Sequence, residues 1–94
     1  MWLEQLTEED RAFLKRFLLC SGSLKGVARE YGVSYPTVRL RLDRLIAKVK
    51  VVDDERIRGE FERYVRILEA EGKVDRATAE DLLARHRAEK EKEG

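Results

Sequence analysis

Two observations predict an all-α fold. Apolar residues recur at spacings of three and four along almost the whole sequence, the period of one helix face. The only β-branched cluster, Val49, Val51 and Val52, is too short and isolated to seed a sheet. A third observation bears on size: 94 residues make one compact domain and leave no room for separate substrate and cofactor lobes. Such a domain buries roughly 60 to 65% of its unfolded surface. That suffices for independent folding when the apolar 43% is well patterned.

Thr7 opens the first predicted helix. Asp10 stands three residues on and Glu8 and Glu9 lie in the first turn, where carboxylates satisfy free amides and oppose the helix dipole. Its apolar face is Phe13, Phe17 and Cys20, joined by Leu14 and Leu18, and Gly22 ends it in a left-handed conformation. Ser23 caps a short second helix over 24–31, with Leu24, Val27, Ala28 and Tyr31 spaced by three and four, and Gly32 stops it. Ser34 caps a third helix, 34–50, with Pro36 in the first turn, where a missing amide proton costs little. Val38, Leu42, Leu45, Ile46 and Val49 form its buried stripe. Asp53 is read as the start of a fourth helix, with Ile57, Phe61, Tyr64, Val65 and Leu68 on one face and Gly59 inside it, ending at Gly72. Asp75 caps a fifth that carries Ala79, Leu82, Leu83 and His86. Residues 88–94 alternate charge with almost nothing to bury and are read as a frayed tail.

Composition excludes several function classes. Twenty Lys and Arg against nineteen Asp and Glu leave a net charge of +1, too balanced for indiscriminate binding of polyanions. Charge is segregated, however. Residues 24–52 carry seven basic and two acidic side chains, residues 1–23 carry three and four, and residues 53–94 carry ten and thirteen. The positive excess therefore sits in the middle of the chain. One cysteine, Cys20, makes no internal disulfide and no zinc site by itself, and a cytoplasmic setting follows. Met1 to Asp10 is acidic rather than basic and then apolar, so a signal peptide is not expected. No run approaches the roughly 18 to 20 apolar residues of a membrane span. Charged residues make up 41% of the chain, Asn is absent and Gln occurs only at Gln5, a balance resembling that of thermophile proteins. With one His, one Cys and no glycine-rich phosphate loop, no enzyme chemistry and no cofactor are expected. His86 has no second ligand at metal spacing, and the acidic run from Asp53 to Glu55 is explained by helix capping.

The informative segment runs from Gly22 to Leu42: a short helix, a tight turn and a longer helix. Where two helices cross steeply the first needs a small inward residue, which Ala28 supplies. Four residues later Gly32 reverses the chain with positive φ, Val33 plugs the core beside the turn, and Val38 packs the second helix back on Val27 and Ala28. This is the pattern of a helix-turn-helix, at residues 23–48. The predicted architecture is thus a helix-turn-helix three-helix core at 1–52, a C-terminal helical hairpin at 53–87 and a charged tail at 88–94.

On a wheel of about 100° per residue with Val38 at zero, Leu42, Leu45 and Val49 fall within about 40° of it. Pro36, Arg39, Leu40, Asp43 and Arg44 fall between about 100° and 240°, away from the core. That outward face suits a DNA major groove. Ser34, Tyr35 and Thr37 lie at its N-terminal tip, where hydroxyls and free amides reach phosphates or base edges, and Arg39, Arg41 and Arg44 reach phosphate or guanine. Leu40 suits a thymine methyl or a partner protein, and Lys25 adds a cation from the preceding helix.

The same segment resembles the factor-for-inversion-stimulation type of helix-turn-helix and, more loosely, the last helical region of bacterial sigma factors. Gly22-Ser-Leu-Lys to Ser34-Tyr-Pro-Thr-Val-Arg, then Arg41-Leu-Asp-Arg-Leu-Ile, resembles a small prokaryotic family of unknown function in which a four-cysteine zinc ribbon precedes a helix-turn-helix. The resemblance covers residues 6–50 and implies DNA contact at Ser34, Tyr35, Thr37 and Arg39. This sequence departs from the pattern in lacking the ribbon. The stretch from Ile67 to Leu83 is similar to helical hairpins appended to many bacterial proteins, which pair with a copy of themselves or cover a core.

The expected function is therefore that of a DNA-binding transcriptional regulator acting on double-stranded DNA as a homodimer. The alternative is a protein-interaction adaptor that contacts RNA polymerase or a sigma factor through the same basic face. Two bland readings compete with both: a helix-turn-helix corner used only for packing, and arginines that pair with Asp43 and Glu30 on a solvated surface.

Overall fold

The computed structural model describes residues 2–93. They form helices joined by turns, with no strand among them, and the fold is all-α as predicted. The chain divides between Ile46 and Ala47 into two compact units.

In the first unit a 3-10 turn, Trp2–Gln5, precedes helix α1, Glu8–Leu19. Thr7 caps α1 reciprocally: its Oγ1 accepts the Asp10 N–H at 3.1 Å, and Asp10 Oδ2 accepts the Thr7 N–H at 3.0 Å, so both otherwise orphaned amides are satisfied. The reversal expected at Gly22 alone uses two left-handed residues, Ser21 at φ 55° and Gly22 at φ 77°. Helix α2, Leu24–Tyr31, is capped by Ser23, whose Oγ accepts the Gly26 N–H at 3.0 Å, and ends at Gly32 in the left-handed region, φ 65° and ψ 34°. A Cβ at Gly32 would meet nothing within 4 Å, so backbone conformation rather than space requires glycine there. Helix α3, Tyr35–Val52, begins after Ser34, whose Oγ accepts the Thr37 N–H at 3.4 Å.

Leu6, Phe13, Val27, Ala28, Val38 and Leu45 are the buried apolar residues of this unit, among them Val27, Ala28 and Val38 of the expected helix crossing. Several apolar residues assigned inward by period alone are not buried. Leu18 is 74% exposed, and Tyr31, Val33 and Ile46 also lie at the surface. Val33 does not plug the core. Ile46 lies about 80° from Val38 on the α3 wheel, and the buried arc turns the other way, through Leu45 to Lys48, which is only 3% exposed.

In the second unit α3 stops at Val52 and the next helix, α4, spans Glu60–Ala70. Asp53 does not start it. The acidic run builds a turn instead: Asp54 Oδ1 accepts the Arg56 N–H at 2.9 Å, and its two carboxylate oxygens take the Arg56 guanidinium at 3.0 and 2.9 Å, local bonds that compete with helix formation. Gly59, expected inside the helix, is its N-cap, with φ 84° and no side-chain cap bond, so Ile57 belongs to the turn. Phe61 and Tyr64 of the expected inward face are exposed. Helix α5, Arg76–Glu93, is capped by Asp75, whose Oδ1 accepts the Thr78 N–H at 2.7 Å. Val65, Ala79 and Leu83 form the buried core of the hairpin, with Val74 and Leu82 packed against it.

The stretch from 88 onward, read as frayed, continues α5 to Glu93. Ala, Glu, Lys and Arg all favour the helix, and extending an existing helix needs no nucleation. No helix among the described residues is long and apolar enough to cross a membrane.

Candidate nucleic-acid interface

The outward face of α3 follows from what its inward face buries. Val38 is 2% exposed and Leu45 5%, seven residues apart and therefore on one side of the helix. The opposite side carries Pro36, Arg39, Leu40, Asp43 and Arg44, all exposed, with Tyr35 exposed at the N-terminal tip, so the orientation expected from the wheel is the one the fold adopts. At the N-terminal tip the Ser34 and Thr37 hydroxyls lie 2.9 Å apart and both residues are exposed. Lys25, in the first turn of α2, is exposed as well.

The three arginines are not equivalent. Arg39 Nε sits 3.2 Å from Asp43 Oδ1, one turn along the same helix. Arg41 turns back towards α1: its Nη2 lies 3.4 Å from Asp10 Oδ1 and its guanidinium stands 5.8 Å from the centre of the Phe13 ring. Asp10 is 7% exposed, so the capping carboxylate of α1 is also a buried anchor for α3. The side chains of Arg44 and Lys25, both exposed, enter no ion pair or hydrogen bond among the described residues. The structure thus brings Ser34, Tyr35, Thr37, Arg39, Leu40 and Arg44 to the outer side and tip of one helix and places Arg41 at its margin, half-buried.

Beside this face, Phe13, Val33, Thr37, Val38 and Arg41 help to line an open groove of about 360 Å³. It exists because Tyr31 and Val33 stay at the surface on either side of Gly32. Its walls are mainly apolar, with Glu9 and Arg41 as the charged members.

Two charged contacts of α3 escaped the sequence. Asp10 carried a complete local explanation as a helix cap, which hid its contact with Arg41, 31 residues away. Lys48 did leave a signal: it interrupts the stripe between Leu45 and Val49, at about 280° on the α3 wheel and next to Arg41 at about 300°. Its Nζ donates to Glu71 Oε2 at 3.0 Å.

The other residues with chemical potential are engaged in packing. The His86 ring stacks against Phe61 with centroids 4.5 Å apart, and the Cys20 thiol is free and half-buried. Among the described residues no three His, Cys, Asp or Glu side chains are grouped to hold a metal ion.

Residues 6–52 match the model of a family described as "Domain of unknown function (DUF2089)-HTH". No curated protein and no solved structure matches the chain.

Proposed function

The chain belongs to this helix-turn-helix family, and on that premise we propose that it is a cytoplasmic DNA-binding transcriptional regulator that inserts the N-terminal half of α3 in the major groove. The observation that carries this reading is the exposed strip of Tyr35, Arg39, Leu40 and Arg44 on the helix whose other side buries Val38 and Leu45. The strip lies in the segment with the chain's positive excess, as phosphate contact demands. Arg44 and Lys25 serve as phosphate contacts, Thr37 and Tyr35 work at the tip, and Leu40 faces a thymine methyl. Arg41 acts at the edge of the contact, because its guanidinium is partly committed to Asp10. The reading is one of binding and not of catalysis.

Titration of a fluorescent random duplex against the protein at several salt concentrations tests it. Each phosphate contact contributes a logarithmic slope of about 0.9. Arg39→Ala with Arg44→Ala is expected to weaken binding and to flatten that slope, with an unchanged helical spectrum. Unchanged binding would discard the assignment. A two-fold dimer would set two copies of α3 about 34 Å apart on one side of the duplex, and the solution mass with and without duplex checks that stoichiometry.

The adaptor reading draws on Leu40, 49% exposed in the middle of the strip. It predicts that Leu40→Ala abolishes capture of RNA polymerase or a sigma factor, whereas duplex binding is absent from the start.

A further inference from the structure

Asp43 stands out among the residues of the exposed strip. It is the one acidic side chain of α3, it is about half exposed, and it lies on a surface whose other charges are positive. On the wheel it falls at about 140°, between Arg39 at about 100° and Leu40 at about 200°, well inside the strip and not at its edge. A carboxylate there faces the phosphates of any bound duplex and repels them, which is a cost with no compensation from core packing. Its contact is with Arg39 Nε, at 3.2 Å.

We propose, on the basis of the DNA-binding reading above, that Asp43 is the positioning residue that aims Arg39 at a guanine and makes this part of the interface selective for a G·C pair. The geometry supplies the reason. Arg presents five donors in a rigid planar fork. With Nε paired to the Asp43 carboxylate at 3.2 Å, the terminal Nη1 and Nη2 groups remain at the outer end of the guanidinium, and two parallel donors there match guanine O6 and N7. The long arginine side chain, otherwise free among many rotamers, is held in one of them before DNA arrives. The carboxylate also completes a complementary set. The cytosine of a G·C pair offers its N4 amino group as a donor, which Asp43 can accept. An A·T pair offers the adenine N6 donor towards the guanidinium and the thymine O4 acceptor towards the carboxylate, two like-with-like mismatches. The Arg39–Asp43 couple therefore reads one base pair by attraction and rejects another by repulsion. Arg44 lacks such a partner and acts as a phosphate contact without base preference.

The test starts from the full chain and a library of randomised duplexes. Wild-type protein is used to select a preferred site, and the affinities of single-pair variants of that site are then compared for wild type, Asp43→Ala and Asp43→Glu. The couple predicts one G·C position at which wild type prefers G·C over A·T by roughly 5- to 150-fold, the range of one good bidentate contact. In Asp43→Ala that preference collapses to about threefold or less, while binding to unrelated duplex is equal or tighter because a repulsive charge is gone. Asp43→Glu, which spans the same helical turn, recovers most of the preference. The proposal is overturned if Asp43→Ala keeps the wild-type base preference, or if it loses affinity equally for every duplex, as a merely structural role would require. Failure of wild type to bind any duplex would instead bring down the DNA-binding reading, and that outcome is visible before any variant is made.

Discussion

Lys48 shows how a single ionisable side chain comes to be placed in a helical core. Its four-carbon stem is buried, and its ammonium donates to Glu71 Oε2 at 3.0 Å with only 3% of the residue exposed. Glu71 is itself 22% exposed and also lies 3.6 Å from Lys73. A pair of this kind contributes specificity more than net stability, since desolvation offsets the attraction. Removing both stem and charge is a different matter. Lys48→Ala is expected to lower the unfolding free energy by about 2–4 kcal/mol, while Lys48→Met, which keeps the stem, costs about half of that or less. Urea midpoints at neutral pH distinguish the two. At the same scale, the outward placement of Arg39 and Arg44 was legible in the sequence because an outward angle on a wheel is a local property. The placement of Arg41 was not, because its angle, at about 300°, falls between the outward side and the buried stripe and only Asp10, folded in from α1, decides where it points.

Among the elements, the starts of α1, α2, α3 and α5 were legible, whereas the start of α4 and the ends of α3 and α5 were not. Thr7, Ser23, Ser34 and Asp75 all cap as expected, each accepting an amide three residues ahead; nothing distant competes with so short a loop of chain. The end of α3 is set otherwise. Arg63, on α4, donates from Nη1 to the carbonyls of Val51 and Val52 at 3.2 and 2.8 Å and from Nη2 to that of Ile57 at 3.2 Å. A guanidinium thus closes the carbonyl end of α3, where positive charge is favoured. No spacing rule announces this, because Arg63 sits on a different helix. Arg63→Met is expected to cost about 1–3 kcal/mol. It should also speed amide exchange at Asp53, whose N–H donates to Val49 at 3.0 Å, while leaving exchange in α1 and α2 unchanged. Equal exchange in the variant and the wild type would show that the last turn of α3 is held by something else.

For the molecule as a whole, charge rather than apolar area sets the response to pH. Several carboxyls of the second unit are held below their ordinary range. Asp54 is brought down to about 2, first by the hydrogen bond from the Arg56 guanidinium and then by the Arg56 amide. Asp75 is lowered by the Thr78 amide it caps, and Glu80 by the Arg66 guanidinium, 2.9 Å away. A carboxyl with a folded pKa below its unfolded value stabilises the fold above that unfolded value, and the contribution disappears as pH falls through the folded one. The thermal midpoint is therefore expected to be flat between pH 7 and 5 and to decline from about pH 4 to about pH 2. Asp54→Asn should remove part of the decline, and a midpoint that rises on acidification would contradict the sign. None of the three groups lies in the core, so the loss is gradual and not a single acid transition.

The sequence by itself determined the helical class, the capping residues, the left-handed turn at Gly32 and the outward side of α3. Each of these depends on groups within about one helical turn of one another, where covalent connection holds the partners together in any conformation the chain visits. Only the tertiary structure decided where α3 ends, that Arg41 leans on Asp10, and that Lys48 lies inside while Ile46 lies outside. Those outcomes depend on partners 11 to 31 residues apart in the chain. Which of two similar side chains is desolvated is then settled by the surface that arrives opposite it, not by the period on which it falls.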